Sequence, residues 1–445
     1  MDRLAFLDAV RVAGVVGEGG AGFPSHVKYA AEAETVIANG CECEPLLHTD
    51  QHHMLRHAER IVHALCQLKE STGAKRGVVA LKRKYAQATE VLRTAIGNRS
   101  LDIALLDNFY PAGDEQVLVR EVTGRSVPPL GLPLHVGVVV ANVGTLVSVA
   151  QALDGVALTH KYLTVTGEVR KPGMVHVPIG TPLSACLDAA GGSSLVDPVF
   201  IIGGPMMGRL VDSAASLEKE VVTKTTGGLI ALPRGHQLHV NATQPVPHLR
   251  NRAAAACIQC RMCSDMCPRQ LIGHPFETHR VMRAFGAGAE LADEAAAQAL
   301  MCCDCGVCEH FSCPMGLSPR RINQAVKAEL RSRKIGYDGS RAVGEERTQW
   351  REFRRVPVPR LAARLGISRY MDLPVADLGT LRPARVAIPL RQHIGAPARA
   401  VVAVGDLVRR GDLLGEIPDG ALGARVHASI DGTVCSLGDV VVIAG

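Results

Sequence analysis

Short apolar runs alternate with amphipathic stretches in the first third of the chain. Mostly apolar residues occupy Thr35–Ala38, Gly77–Leu81 and Ile103–Leu106, which are the lengths expected of buried strands. Asp50–Lys69 instead has apolar residues at near-helical spacing, which predicts one amphipathic helix between the first two strands. Strands alternating with helices predict an α/β domain with a Rossmann-like sheet, which we assign to residues 1–155.

The predicted helix carries four histidines, a residue type that binds metal ions. They are His52, His53, His57 and His63. Because charged residues surround them, we expect these side chains on the solvent face of the helix rather than around a metal ion.

A different pattern begins at Lys161. The predicted elements are a strand over Tyr162–Val169, a strand over Met174–Val177, a helix over Thr181–Ala190 and a strand over Val199–Gly203. The turn residues Lys171-Pro172-Gly173 join the first two strands into a hairpin. The order hairpin, helix, strand predicts a β-grasp domain over residues 160–235, either a ligand-binding unit or a spacer.

Short apolar strands separated by Gly-Asp and Asp-Gly turns fill the last sixty residues. Examples are Gly405-Asp406, Gly411-Asp412 and Asp431-Gly432. The pattern predicts a small β barrel-sandwich over residues 381–445, related to lipoyl and biotinyl carriers. No lysine follows Lys334, so covalent attachment of either group in this domain is excluded.

Nine of the fourteen cysteines lie between Cys257 and Pro314, in two blocks that each end in Cys-Pro. The first block matches the C-x2-C-x2-C-x3-C-P run of bacterial ferredoxins, in which the fourth cysteine binds the other cluster. The second block has one extra residue before its last cysteine. Cross-ligation gives one [4Fe-4S] cluster Cys257, Cys260, Cys263 and Cys313, and the other Cys302, Cys305, Cys308 and Cys267.

This assignment leaves Cys303 without a cluster, because its gap to Cys305 is one residue too short. A disulfide framework is disfavoured, since the chain starts without an apolar signal segment. Zinc sites need only C-x2-C pairs and no closing Cys-Pro. We therefore predict a helical ferredoxin-like domain with two clusters over residues 250–335.

The charge and composition of the chain indicate which partners and which location to expect. The net charge of +6 over 445 residues favours no particular partner, and we expect no nucleic acid to bind. Arg320–Arg369 carries fourteen basic residues against five acids, typical of a solvated face, with an acidic docking partner as the alternative. We predict a basic linker over residues 336–380. Leu134–Ala150 is too interrupted for a membrane span, so we expect a cytoplasmic protein.

A glycine-rich loop, Gly17-Glu18-Gly19-Gly20-Ala21-Gly22-Phe23-Pro24, follows the apolar run Val10–Val16. Residues without side chains let backbone amides approach a phosphate, although such a loop can also be an ordinary tight turn. The polar residues of Asn39-Gly40-Cys41-Glu42-Cys43-Glu44-Pro45 follow the next predicted strand. We expect both segments to lie at one edge of the sheet.

These two segments, with Tyr110–Glu115 and Val140–Thr145, resemble the NADH- and FMN-binding subunit of complex I and the C subunit of Rnf complexes. The resemblance implies NADH contacts from Phe23, Glu44 and Glu115. It implies FMN contacts from Gly17, Gly19, Gly20, Lys28, Asn39, Glu42, Gly113, Asn142 and Thr145. Two positions depart from the complex I pattern: Glu18 replaces an arginine and Cys41 replaces an aspartate.

In Rnf C subunits the barrel-sandwich precedes the flavin domain, whereas here it follows the clusters. The changed order is similar to the cobalamin reductase family of propanediol-utilisation bacterial microcompartments. That resemblance implies a corrinoid as electron acceptor, a cobalamin or corrinoid adenosyltransferase as partner, and a location inside a microcompartment, where shell proteins are further partners.

Electron counting connects these cofactors. NADH releases two electrons as a hydride and a [4Fe-4S] cluster accepts one, so a flavin is required between them. The sequence therefore predicts an NADH-dependent oxidoreductase. Two alternatives remain open: the same enzyme with another acceptor, and a non-enzymatic adaptor whose clusters relay electrons between partners.

Overall fold

A four-stranded parallel sheet forms the centre of the first domain. Its strands are, in spatial order, Asp102–Leu106, Arg76–Lys82, Thr35–Gly40 and Val138–Asn142. The computed structural model describes residues 1–288, 294–337 and 349–445. The elements of this domain are α1 (Arg3–Val12), α2 (Ser25–Tyr29), β1 (Thr35–Gly40), α3 (Thr49–Arg56), α4 (Ala58–Ser71), β2 (Arg76–Lys82), α5 (Ala86–Ile96), β3 (Asp102–Leu106), β4 (Phe109–Tyr110), α6 (Glu115–Thr123), β5 (Val138–Asn142) and α7 (Val143–Leu153).

Helices cover both faces of this sheet, which is why its strands are almost wholly apolar. The predicted helix over Asp50–Lys69 is in fact two helices, α3 and α4, because His57 leaves the helical conformation between them. The three predicted strands are present as β1, β2 and β3.

The second domain is built on a mixed sheet. Its elements are β6 (His160–Gly167), β7 (Gly173–Pro178), α8 (Leu183–Ala189), β8 (Pro198–Ile202), β9 (Arg209–Val211), α9 (Ala214–Leu217) and β10 (Gly228–Pro233). β6 pairs antiparallel with β7 and parallel with β10, and β8 and β9 complete that side. The predicted hairpin, helix and strand are all present.

Short helices surround the cysteines. They are α10 (Gln237–Thr243), α11 (Val246–Ala256), α12 (Met262–Asp265), α13 (Pro268–Leu271), α14 (Thr278–Ala287), α15 (Glu294–Ala297) and α16 (Pro319–Ser332). Leu249, Val281 and Val326, from α11, α14 and α16, meet in one buried core. Cys308–Ser312 forms a π-helical turn, which accommodates the extra residue of the second cysteine block.

Within the predicted linker over residues 336–380, the part from residue 349 on contains helices and strands. Residues 338–348 lie outside the described part, but β11 (Val356–Pro357), α17 (Val358–Arg364) and β12 (Ala376–Thr380) follow. β11 pairs with β4, and β12 extends the second sheet beside β7. Arg355 from this interval holds Glu121 of α6 at 2.9 Å, so part of the basic run is used inside the molecule.

The C-terminal domain is a sandwich of two small sheets, as predicted. Its strands are β13 (Arg385–Pro389), β14 (Arg399–Ala400), β15 (Leu407–Val408), β16 (Leu413–Glu416), β17 (Val426–His427), β18 (Gly432–Leu437) and β19 (Val440–Ala444). One sheet has the order β13-β19-β18-β15 and the other β14-β16-β17. Ile388, Leu414 and Val434 lie in the core between them.

A buried lysine joins three domains. Lys224, which precedes β10, donates from Nζ to the carbonyl of Gly14 at 2.7 Å and to that of Arg425 at 2.5 Å. Burial lowers the pKa of Lys224 to about 7. The C-terminal domain is therefore held close to the start of the chain.

A second buried contact joins the first domain to the cysteine region. Arg269 of α13 donates to both carboxylate oxygens of Asp114, at 2.7 and 2.9 Å, and the two side chains are only 10% and 17% exposed. Within the described residues, no helix is both long and apolar enough to cross a bilayer.

Replacing Arg269 with Met should therefore destabilise the protein, because it leaves the Asp114 carboxylate partly buried without its cation. We expect a loss of about 3 kcal/mol of unfolding free energy, measured as a lower urea midpoint of anaerobically purified protein. Arg76→Met is the matched control, since its pair with Asp102 is 47% and 58% exposed and should contribute about 0.5 kcal/mol. Equal midpoints for the two variants would contradict the assigned role of Arg269.

Candidate functional site

The glycine-rich loop is closed at its ends and anchored to the carboxyl edge of the first sheet. The amide of Gly17 donates to the carbonyl of Phe23 at 2.9 Å, and the amide of Glu18 donates to Oγ1 of Thr145 at 3.0 Å. A Cβ on Gly19 would lie 3.2 Å from the Asn142 side chain. Asn142 ends β5 and Thr145 is in the first turn of α7, the edge where α/β sheets bind ligands.

The middle of the loop is open. A Cβ added to Gly20 would meet no heavy atom within 4 Å, so the protein leaves room there for another molecule. Beyond it, Gly22 has a φ of +73° and lies against Thr225 of the second domain and Gln392 of the C-terminal domain. Phe23 is 37% exposed at the end of the loop, where its ring is accessible for stacking.

Glu18 does not weaken the loop as a phosphate cradle. Its side chain is only 8% exposed; Ser148 Oγ donates to Oε1 at 2.9 Å and Lys161 Nζ lies 3.4 Å from Oε2. The negative charge is therefore balanced by a buried lysine of β6. Nothing in the sequence around Lys161 signals this role, because the pair spans two domains.

Asn39 and Gly113 form the opposite wall. Asn39 Nδ2 donates to the carbonyl of Gly113 at 2.9 Å, and its Oδ1 accepts from the amide of Cys41 at 3.1 Å. A Cβ on Gly113 would lie 2.2 Å from the Cys41 carbonyl, so only glycine fits. The amide of Gly113 donates to Sγ of Cys43 at 2.7 Å. Burial raises the pKa of the Cys41 thiol well above its usual value.

Two carboxyl groups, the buried Glu42 and the partly buried Asp50, lie next to the Asn142 wall. Glu42 Oε2 accepts from the amide of Asp50 at 3.1 Å, and Asp50 Oδ1 accepts from Asn142 Nδ2 at 2.9 Å. Burial raises the pKa of both, that of Asp50 to about 7. Side-chain atoms of four predicted FMN contacts form the walls around the loop: Asn39, Glu42, Asn142 and Thr145. The contact of these residues with FMN stays a prediction.

Lys28 and Glu115 are brought together at the rim. They form a direct ion pair between α2 and the first residue of α6, with side chains 31% and 39% exposed. Both predicted contact residues therefore lie at one accessible position, within reach of a bound molecule.

Glu44 has a different setting from the one expected of an NADH contact. Its Oε2 accepts from the amide of Met206 at 2.8 Å, and the side chain packs on Gly204 of the second domain. Burial raises the pKa of Glu44 to about 7. These contacts favour a role at the domain interface.

The expectation that the histidines face solvent is wrong for His53, which is 4% exposed. The rings of His52, His53 and His57 lie 4.5, 5.5 and 6.0 Å from that of Tyr162 in the second domain. His63 on α4 is exposed. The three clustered histidines thus help to form the interface between the first two domains.

Four cysteines line one cavity near the surface: Cys257, Cys260, Cys263 and Cys313. With its opening to solvent the cavity occupies about 340 Å³. This outer set is the first of the two predicted cross-ligated sets. Among the described residues, no three Cys, His, Asp or Glu side chains converge on the position of a single metal ion.

The inner set, Cys267, Cys302, Cys305 and Cys308, is buried, with each residue at most 9% exposed. Burial raises the pKa of Cys308 well above its ordinary value, and the neighbouring Cys302, Cys263 and Cys267 raise it further. The hydroxyl of Tyr110 donates to the carbonyl of Cys305 at 2.7 Å, so this set adjoins the first domain.

The two cysteine loops have the same backbone pattern. Gln259 and Arg261 have positive φ in the outer loop, and Asp304 and Gly306 have positive φ at the same offsets in the inner loop. Cys303 therefore occupies the position of Ile258, which is not a thiol. This equivalence supports its exclusion from the inner set.

We expect about eight iron atoms per chain after anaerobic purification, as two [4Fe-4S] clusters require. Cys303→Ser should keep that number, whereas Cys305→Ser should lower it to about four, as measured by iron analysis and visible absorbance. Equal loss from both substitutions would show that the ligand assignment is wrong.

Gly20→Val should abolish FMN retention while leaving cluster absorbance unchanged. The protein itself has space for the new side chain, so any loss reflects a blocked cofactor position. Gly438→Val, in the C-terminal domain, is the control for general instability, because a Cβ there also meets no heavy atom within 4 Å and the backbone is not left-handed. Normal FMN content in Gly20→Val would identify the loop as an ordinary turn.

Four protein-family models match the chain. They are the Nuo51 FMN-binding domain at residues 10–151, the SLBB domain at 162–210, the 4Fe-4S dicluster domain at 256–318 and the RnfC barrel sandwich hybrid domain at 372–445. The predicted α/β multidomain architecture, FMN and the two [4Fe-4S] clusters are thereby confirmed, and the open glycine loop and the two cysteine sets fit these groups.

Three relatives indicate the family. "Cobalamin reductase PduS" of Salmonella typhimurium is 44% identical over 97% of this chain and 94% of its own length. The protein of the same name from Citrobacter freundii is 42% identical, covering 98% and 95%. The C subunit of the Na⁺-translocating ferredoxin:NAD⁺ oxidoreductase complex of Acetobacterium woodii is 37% identical over 61% of this chain and 59% of its own. The chain is a flavin and iron–sulfur oxidoreductase that belongs to the PduS cobalamin reductase family.

Proposed function

We propose that the chain uses NADH to reduce cobalamin one electron at a time, for adenosylation inside a bacterial microcompartment. The near full-length relatives named as cobalamin reductases support the acceptor. The observation that carries the proposal is the placement of the two cysteine sets, one against the flavin-binding domain and one open to solvent.

Within this proposal, residues 1–155 bind FMN and NADH, 250–335 hold the clusters, and 160–235 and 381–445 support the flavin loop. FMN, when bound, would accept a hydride from NADH and release its two electrons singly. The open backbone at Gly20 leaves the position for this group, and the hydrogen-bonded side chains of Asn39 and Asn142 form fixed walls beside it.

The ion pair at the rim supplies the nicotinamide contact. In this proposal Glu115 accepts a hydrogen bond from the nicotinamide amide group, and Lys28, which pairs with Glu115 in the free protein, turns to an anionic group of FMN. The exposed ring of Phe23 lies in the neighbouring loop and offers a stacking surface. Together these residues would orient the nicotinamide toward the flavin.

A short segment joins the flavin wall to the inner cysteines. Gly113, whose amide donates to Cys43, is three residues from Tyr110, whose hydroxyl donates to the Cys305 carbonyl. The segment is buried, so it excludes water between the two sites. This arrangement favours the inner set as the first acceptor and the outer set as the second.

Another acceptor inside a microcompartment, or an adaptor without NADH oxidation, would use the same cysteine sets. A corrinoid adenosyltransferase and shell proteins are the proposed partners, because the reduced corrinoid must be adenosylated where it is formed.

Glu115→Gln should slow NADH-driven bleaching of the clusters in stopped flow at least about ten-fold, because the nicotinamide loses its carboxylate contact. Dithionite, a one-electron donor, should still bleach the clusters of this variant, and once excess dithionite is removed the reduced protein should still reduce cob(III)alamin. Cys308→Ser should leave flavin bleaching by NADH fast and block electron delivery to the corrinoid.

The outcomes separate the alternatives. An adaptor would show no NADH-driven bleaching in the wild-type protein, and a different acceptor would leave cobalamin oxidised while the clusters bleach. Normal corrinoid reduction by Cys308→Ser would contradict the proposed route.

A further inference from the structure

The equivalence of the two cysteine loops extends to the residues that point outward from them. Counted from the first cysteine of each loop, Ile258 corresponds to Cys303 and Met262 corresponds to Val307. Because positive φ occurs at the same offsets in both loops, these pairs occupy matching places beside their clusters.

In the inner loop, these positions are covered. Val307 is 1% exposed and lies in one core with Leu46 and Tyr110 of the first domain and Met206 of the second. Cys303 packs against the same core. This face is where the flavin-binding domain meets the inner cysteines.

In the outer loop, the residues at the matching positions are exposed to solvent. Ile258 is 61% exposed and Met262 is 43% exposed, and Met315 beside Cys313 is 40% exposed. We name these three residues the outer-cluster face. An apolar group of this kind at the mouth of a redox site is typical of an interaction surface.

The charged residues around the outer-cluster face indicate the charge of the partner. In the described part of the chain, Arg261, Arg280 and Arg354 share two carboxylates, those of Asp265 and Glu277, so the surroundings of the face carry excess positive charge. At the covered inner face, the flavin-binding domain supplies a carboxylate, Asp114, to Arg269. A partner at the outer face would supply carboxylates in the same way.

We propose that the outer-cluster face is the docking surface for a redox protein whose cofactor is surrounded by carboxylates. The inference rests on the proposed function: the electrons that NADH supplies leave the chain at this face. Each docking event transfers one electron to the partner, so one NADH supplies two events and gives NAD⁺ and one proton, which is released to solvent.

Binding of flavodoxin, a small acidic one-electron carrier, tests the docking surface with holo-protein. Met262→Glu should weaken its affinity at least about five-fold in anaerobic titrations, because the new carboxylate repels an acidic partner. Met262→Lys should bind within about two-fold of the wild type or more tightly, and wild-type affinity should fall with added salt. The rate of NADH-driven flavodoxin reduction should follow the same order.

Val196→Glu places the same charge on a fully exposed residue of the second domain and should change nothing. Basic cytochrome c should bind the wild type more weakly than flavodoxin. Equal affinity of the two Met262 variants, or equal binding of the two carriers, would overturn the docking proposal.

The docking proposal and the proposed function fail in different ways. Clusters that NADH does not bleach in the wild-type protein would refute the proposed function. Clusters that bleach normally, together with a Met262→Glu variant that binds flavodoxin like the wild type, would refute the docking surface alone.

Discussion

The Asp114 carboxylate is the contact on which most of the site depends. Its Oδ1 accepts from the amides of Gln116 and Val117, which begins α6 and places Glu115 at the rim. The same carboxylate takes both hydrogen bonds from Arg269, next to the inner cysteine Cys267. Burial alone would lower the pKa of Arg269, but the Asp114 carboxylate, together with the nearby Cys303 and Cys305, outweighs this effect and raises it. Asp114 thus sets the start of α6, the position of Glu115 and the position of the inner cysteines together.

Features that depend on local spacing could be predicted from the sequence. The cysteine sets follow from two-residue gaps, the glycine loop from missing side chains, and the strands from apolar runs. The predicted single helix was wrong because its break at His57 depends on backbone dihedral angles that helical periodicity does not reveal. The order within residues 336–380 was missed because β11 and β12 each pair with strands of distant domains, β4 and β7.

Charge partners across domains explain the other differences. Glu18 stands where the complex I pattern has an arginine, and the sequence does not reveal its charge partner, Lys161, which lies 143 residues away in the chain. Burying the pair with Ser148 removes the charge from the open side of the loop and fixes the loop against β6. A buried pair of this kind contributes geometry more than net stability, since its desolvation offsets much of the attraction.

The position of the C-terminal domain explains how its place in the chain can differ from that in Rnf C subunits. Its Gln392 and Arg425 contact Gly22 and, through Lys224, Gly14, all close to the start of the flavin-binding domain. A domain that packs beside the first residues can be joined before them or after the clusters, because either connection preserves the same contacts. In this chain the second and C-terminal domains support the glycine loop from behind, where they meet Gly22. The open side of the loop at Gly20 therefore stays free.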